Sequence, residues 1–186
     1  MPSDPIIRDA GPDDLDAITR IYAEAVENGV ASYELTPPDK AEMQARFDGM
    51  LEKGYPYLVA QAGDVVVGYA YANAFRTRPA YRWIVESSIY LSVDARGLGI
   101  GRVLLDALVE RASALGFRQM IAVIGGAHPA SIGVHRACGF TECGRMTATG
   151  YKHGRWLDTV LMQKALGDGG ETPPDLDAYP GTLFTE

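Results

Sequence analysis

The chain of 186 residues is 47% apolar and 22% charged, which is enough apolar chain to bury one sizeable core and points to one domain. A net charge of −7 argues against a polyanionic partner, because nucleic-acid binding depends on a basic surface that neutralises phosphates, and no nucleic acid is expected as a partner. Two cysteines, Cys138 and Cys143, supply neither a disulfide framework nor a metal set, and no metal site is expected. The first residues, Met1-Pro2-Ser3-Asp4-Pro5, lack the basic and apolar segments of a leader, and no apolar run approaches membrane-spanning length, so a cytoplasmic protein without membrane contact is expected.

Ile6–Ala10 reads as a short strand closed by Gly11-Pro12. Asp13 is placed to cap a helix that shows Leu15, Ile18, Ile21, Tyr22, Ala25 and Val26 on one face and stops at Gly29. A second helix is expected from about Pro38 to Lys53, with Met43, Phe47, Met50 and Leu51 inward and Gly54 at its end. In the connection between them Tyr33 either walls a pocket or plugs the edge of the core. Tyr57–Ala62 and Val65–Ala72 flank Gly63-Asp64 as an antiparallel hairpin. The following loop, to about Arg82, carries Arg76, Arg78 and Arg82, and loops on a rigid scaffold commonly carry binding groups.

The stretch from Val85 to Leu105 carries the chemistry. Its first half alternates like a strand, Asp94-Ala95 breaks it, three glycines follow, and a helical pattern begins at once. Gly97, Gly99 and Gly101 remove side chains where a ligand would approach the backbone, and the first N–H groups of the new helix are left unpaired. A phosphate or pyrophosphate suits that place, helped by the helix dipole and Arg96. A P-loop is excluded because Gly101 is followed by Arg102-Val103 rather than Lys and a hydroxyl residue. A dinucleotide fingerprint fits poorly, since Gly99-Ile100-Gly101 runs into Leu104 and the next strand ends Val123-Ile124-Gly125 without an acidic residue. The pattern that remains, Arg96-x-x-Gly99-x-Gly101, resembles the acyl-CoA-binding motif of the GNAT N-acetyltransferases.

The order continues with a helix over Leu98–Leu115, a strand over Arg118–Ile124 parallel to the central one, and a short helix over Ile132–Cys138 that Ser131 precedes and Gly139 terminates. Phe140 then returns to the core. Thr141–Thr147 and Trp156–Lys164 read as closing strands around a turn at Gly150–Gly154, and the Gly-, Pro- and Asp-rich tail from Leu166 reads as an extended or disordered arm.

Taken together, residues 5–165 resemble a whole GNAT domain, within which phosphinothricin acetyltransferases and the related methionine sulfoximine and sulfone acetyltransferases are the closer likeness. The residues carrying it are Arg78-x-Ala80-Tyr81-x-Trp83-x-Val85-Glu86, Ser88-Ile89-Tyr90, Ala122-Val123-Ile124-Gly125, Ser131-x-x-x-His135-x-x-x-Gly139-Phe140 and Gly150-Tyr151-Lys152-x-Gly154-x-Trp156-x-Asp158. The resemblance implies a mixed α/β (α+β) fold, a central sheet flanked by helices in which the central parallel strands splay. It implies acetyl-CoA as cosubstrate, without metal, and often a homodimer. Where relatives commonly carry an asparagine, three residues before Ser131, this chain has His128.

Acetyl transfer needs an amine lone pair, and Glu86, in an otherwise apolar strand, is the candidate base, acting directly or through one water. The bland alternative is a salt bridge to Arg78 or Arg82. Backbone groups of Ile89-Tyr90-Leu91 are the expected oxyanion and pantetheine contacts. Cofactor contacts are expected over Arg96, Gly97, Leu98, Gly99, Ile100, Gly101 and Arg102, with His128 and Ser131 at the far side. Many relatives have a tyrosine five residues before the Phe of the Gly-Phe pair. Here the position is His135, either an acid for the leaving thiolate or a residue that orders the short helix or touches the cofactor.

Arg76 and Arg78 suit a carboxylate or phosphinate on the acceptor, unless they simply form a solvated loop. With Ser87, Ser88 and Tyr33 they make the expected acceptor side. A small amino-acid-like amine is therefore the leading acceptor. Another amine, a peptide N-terminus, or a silent acyl-CoA-binding module are the alternatives.

Overall fold

The structure is a computed structural model that describes residues 5–177. The first four residues, on which the expectation about a leader rests, and the far end of the tail lie outside the described residues.

The chain runs β1 (Ile6–Asp9), α1 (Leu15–Asn28), α2 (Lys40–Glu52), β2 (Tyr57–Ala62), β3 (Val65–Ala74), β4 (Ile84–Leu91), α3 (Ile100–Ala114), β5 (Gln119–Gly125), α4 (Pro129–Ala137), β6 (Thr141–Lys152) and β7 (Arg155–Ala165). The strands form a seven-stranded sheet in the order β1-β2-β3-β4-β5-β7-β6. Neighbours are antiparallel except β4 and β5, the two strands joined through α3, whose pairing is parallel. This is the mixed, helix-flanked α/β sheet the sequence led us to expect.

Alternation along β3 explains how the two faces divide. Ala70 and Ala72 point one way, and their small side chains let α3 lie close, so that Leu104, Leu105 and Leu108 are fully buried over them. Tyr69 and Tyr71 point the other way, where Tyr57, Phe47 of α2 and Leu15, Ile18 and Val26 of α1 close the second core. β4 follows the same rule. Val85, Ile89 and Leu91 face the α3 side, while Tyr90 joins the tyrosines.

Several local expectations need correction. Asp13 is exposed and caps nothing; a short 3-10 turn, Pro12–Asp14, precedes α1. The buried carboxylate is Asp14, which accepts the Gly11 N–H at 2.8 Å and both Arg8 nitrogens at 2.7 and 2.8 Å. α2 starts at Lys40 because the Asp39 side chain accepts the Glu42 N–H, and Leu51 is 43% exposed rather than inward. Ser131 lies inside the first turn of α4, not before it, since Pro129 takes the N1 position that proline suits. β6 and β7 run on to a two-residue turn, His153-Gly154, both with positive φ (50° and 74°). The tail is docked at its root: Leu166 is buried and Arg118 donates to the carbonyl and hydroxyl of Thr172.

Candidate active site

The parallel ladder between β4 and β5 runs from Ile84–Gln119 to Ser87–Ala122 and then stops. Beyond Ser87 the strands part, and β4 backbone groups that would have continued the ladder face a gap. Ser87, Ser88, Ile89 and Tyr90 line one side of it, Ala122 to Gly125 the other, and Ser131 and His135 of α4 its floor. Ser87 Oγ donates to the Ile121 carbonyl at 3.3 Å, fixing the apex.

The gap opens into a larger, mostly apolar groove of about 380 Å³ between the end of α1, the β4–α3 loop and α4. Gly99 caps α3 at φ 82°, Gly97 has φ 77°, and a Cβ on either would meet nothing within 4 Å. Among the described residues no acceptor is bonded to the N–H groups of residues 97–101; the first helical donors to pair are those of Arg102 and Val103, both to the Gly99 carbonyl. Open glycines before unpaired N–H groups at a helix start fit a pyrophosphate, and the apolar groove beyond fits a long thin arm ending in the gap.

The structure brings together in this groove Ile89, Tyr90, Leu91, Arg96, Gly97, Gly99, Gly101, Arg102, His128 and Ser131. Two expected members do not line it. The Leu98 side chain is 63% exposed, and Ile100 turns into the core under α3. The Tyr90 ring is committed to Tyr22 and Tyr69 at 5.0 and 5.3 Å. Arg96 is held by Glu24 of α1, and Arg102 lies 3.6 Å from Asp106. Gly29, Val30 and Ala31 complete the near wall, a contribution with no local sequence signal, because Gly29 reads equally well as a plain helix stop.

Glu86 sits beside the apex, half-buried, with Asn73 opposite it on β3. Burial pushes its carboxyl pKa up, and the positive charge of Arg76 pulls part of that shift back. Among the described residues it forms no ion pair with Arg78. Arg76 and Arg78 are both exposed: Arg76 stacks on the Phe75 ring at 4.9 Å, and Arg78 begins a short turn, Pro79–Tyr81.

The polar surroundings of Glu86 are richer than the sequence suggested. Tyr71 faces Ser88 across the β3–β4 pairing, and burial is the main cause of its raised pKa, with the Glu86 charge adding to it. Arg46 of α2 donates to Glu34 at 2.7 Å, and Glu34 also accepts the Tyr22 hydroxyl at 3.0 Å. Neither Arg46 nor Glu34 lies near Glu86 in sequence, and only folding α2 across the tyrosine face brings their charges to bear on Tyr71.

His135 is 2% exposed. Its Nδ1 lies 2.8 Å from the Ser131 carbonyl, which only accepts, so Nδ1 carries the proton. Nε2 is buried without a partner, and burial lowers the ring's pKa despite that hydrogen bond. Neutral imidazole in this tautomer accepts at Nε2 and does not donate, which favours the helix-ordering and cofactor-contact role over that of an acid.

Tyr33 plugs the core edge. Its hydroxyl is 2.7 Å from Thr159 Oγ1 and 3.1 Å from the Asp158 carbonyl, and it receives the Gly126 N–H at 3.2 Å. Both cysteines are free; burial pushes the Cys138 thiol pKa up to about 12, as an inert structural thiol requires. Among the described residues no cluster of metal-ligating side chains occurs, and no helix is long and apolar enough to cross a membrane.

Comparison with known proteins agrees with this geometry. Residues 7–161 match the model of the acetyltransferase (GNAT) domain. The chain is 48% identical over 171 residues to a phosphinothricin N-acetyltransferase of Alcaligenes faecalis, covering 91% of this chain and 85% of the relative. It is 46% identical over 168 residues to an L-methionine sulfoximine/L-methionine sulfone acetyltransferase of Pseudomonas paraeruginosa, covering 90% and 98%. The crystal structure of a phosphinothricin acetyltransferase from Sinorhizobium meliloti in complex with AcCoA superposes with a TM-score of 0.96 at 59% identity, covering 98% of this chain and all of that one.

Proposed function

The chain belongs to the GNAT acetyltransferase family, and from that premise we propose that it moves the acetyl group of acetyl-CoA to the amine of a small amino-acid-like acceptor of the phosphinothricin or methionine sulfoximine and sulfone type. The observation that carries this reading is the half-buried carboxylate of Glu86 beside the apex of a strand gap that continues into an open glycine-cradled groove.

In this reading the N–H groups of residues 97–101 hold the pyrophosphate, the groove takes the pantetheine arm, and the thioester lies in the gap against the unpaired β4 backbone. The acceptor approaches from the tyrosine face. Glu86 takes one proton from the ammonium, directly or through one water, the freed amine forms the new C–N bond, and as the C–S bond breaks the second nitrogen proton passes to the departing sulfur, directly or through water, so that CoA leaves as its thiol. His135 stays neutral and offers Nε2 as an acceptor towards the bound cosubstrate. Arg76 and Arg78, with Ser87 and Ser88 at the apex, favour an acceptor bearing an anionic group.

Residues 5–165 form the catalytic domain in this proposal, and the tail is an appendage. Edge strand β6 exposes Met146 and Tyr151, with Trp156 beside them on β7, and unprotected edges of this length call for cover. A homodimer across that edge is the proposed assembly and the cytoplasm the proposed compartment. The deciding experiment is thiol release from acetyl-CoA with a panel of amines. Turnover of phosphinothricin or methionine sulfone supports the reading, whereas acetyl-CoA binding without turnover of any amine replaces it with the silent-module alternative.

A further inference from the structure

The β6–β7 hairpin carries a run that acetyl transfer leaves unused: Gly150-Tyr151-Lys152-His153-Gly154-Arg155-Trp156-Leu157-Asp158. Two of its polar side chains, Lys152 and His153, reach the α1–α2 loop. Lys152 is only 5% exposed, and its ammonium donates to the Ser32 carbonyl at 2.9 Å. His153 Nε2 lies 3.1 Å from the Gly29 carbonyl, an acceptor. The tight turn with positive φ at His153 and Gly154 is what aims both side chains at the same loop.

A third attachment is made by Tyr33, whose hydroxyl meets Thr159 and the Asp158 carbonyl. A Cβ on Gly150 would come within 2.9 Å of its ring, so glycine there is a fitted seat. Burying an ammonium is costly unless it is paired and bonded. Here burial lowers the lysine's pKa and the nearby charge of Glu34 raises it in part.

The loop that these contacts fasten is shared by both halves of the candidate site. Gly29, Val30 and Ala31 wall the groove, and Ala31 reaches the gap. Five residues on from Gly29, Glu34 holds Arg46 and Tyr22 on the acceptor side. A connection without its own secondary structure takes its shape from what it is tied to.

We propose that Lys152 is a positioning residue for the acetyl-transfer site: from the β6–β7 hairpin it fixes the α1–α2 loop, and so shapes the near wall of the cofactor groove and the Glu34 end of the acceptor site without touching either substrate. The proposal rests on the acetyltransferase reading of the groove.

Lys152→Met keeps the stem and removes the donor and the charge. Hydrogen–deuterium exchange of residues 29–36 should accelerate, acetyl-CoA binding followed by calorimetry should weaken roughly tenfold, and KM for the acceptor should rise more than kcat falls. Lys152→Arg, which retains a donor, should recover part of each effect. Unchanged acetyl-CoA affinity in Lys152→Met overturns the proposal, whether or not exchange accelerates, because a purely structural lysine would leave the groove intact. If that variant does not fold, His153→Ala and Tyr33→Phe strip single attachments and are judged by the same two measurements. A wild-type chain that fails to bind acetyl-CoA removes the functional reading and this proposal together. Wild-type binding with equal binding by the variants removes only the proposal.

Discussion

Ser87 and Ala122 are the last pair in register between β4 and β5, and the residue just before that apex, on the opposite face of β4, is Glu86. One strand thus presents unpaired backbone to the gap and a desolvated carboxylate to the tyrosine face within two residues. The pleat makes this automatic, because neighbouring side chains leave a strand on opposite sides.

Glu86→Gln keeps the shape and loses the base, so turnover should fall by roughly 10²–10⁴-fold at neutral pH while acetyl-CoA affinity holds. Under the proposed mechanism only the ionised carboxylate of the wild type is competent. Burial raises its pKa above 4.5, so kcat/KM should fall as pH drops through that raised value. Arg76 pulls the pKa down, and Arg76→Ala should therefore move the acid limb to higher pH. A pH–rate profile unmoved by Arg76→Ala, or full activity of Glu86→Gln at pH 7, would rule out this assignment.

The same burial predicts a stability effect of opposite sign. The unfolded chain titrates Glu86 at its ordinary 4.5 and the folded chain at a higher pH, so between the two the folded state holds the proton more tightly. Stability therefore declines as pH rises through that window, and the whole penalty is present above the folded pKa. Glu86→Gln carries no such penalty, and its Tm should exceed that of the wild type at pH 7. The difference should close as pH falls towards 4.5. Thermal unfolding at both pH values checks the sign, and a lower Tm for the variant at pH 7 refutes it.

The cradle was legible in sequence because glycine spacing, a strand break and a helical start are all local signals. Gly97 and Gly99 have the positive φ that local reading requires. The parting of β4 from β5 came from family resemblance, since where a ladder stops is set by tertiary contacts that no local pattern records. Arg46, Glu34 and Lys152 stayed hidden for a related reason. Their partners lie 12, 12 and 120 residues away, and an amphipathic pattern ranks such side chains as surface. Asp14 was missed in favour of Asp13 because a 3-10 turn shifts the cap by one residue.

At the cofactor cradle, backbone access should outweigh side-chain charge. A valine at Gly99 would place a branched side chain into the space the ligand needs and force a left-handed φ of 82° on a β-branched residue. Arg102 lines the groove from an exposed helical position and is shared with Asp106. Gly99→Val should therefore weaken acetyl-CoA binding by tenfold or more, roughly the loss of one good contact, and Arg102→Ala should weaken it less. Calorimetric titration of both variants, with folding verified by circular dichroism, tests the order. Wild-type affinity in Gly99→Val would mean that the pyrophosphate binds elsewhere.

The acceptor's charge is the boldest expectation. Arg76 and Arg78 stand on the loop that leads into β4, and Arg76 is near enough to Glu86 for its charge to be felt there. An acceptor that places its amine at Glu86 would bring a carboxylate or phosphinate towards those guanidinium groups, which suit forked hydrogen bonds. Losing one such contact should cost about 1.5–3 kcal/mol, or roughly ten- to a hundredfold in kcat/KM, with Arg76→Ala the larger effect because it is the Arg76 charge that is felt at Glu86. Acetyl-CoA affinity should not move. An amino-acid analogue and its decarboxylated amine make the comparison direct, because on the pH plateau above the Glu86 acid limb only the acid should feel either substitution. If wild type and both variants use the two amines equally well, the arginines belong to a solvated loop and the amino-acid acceptor is wrong.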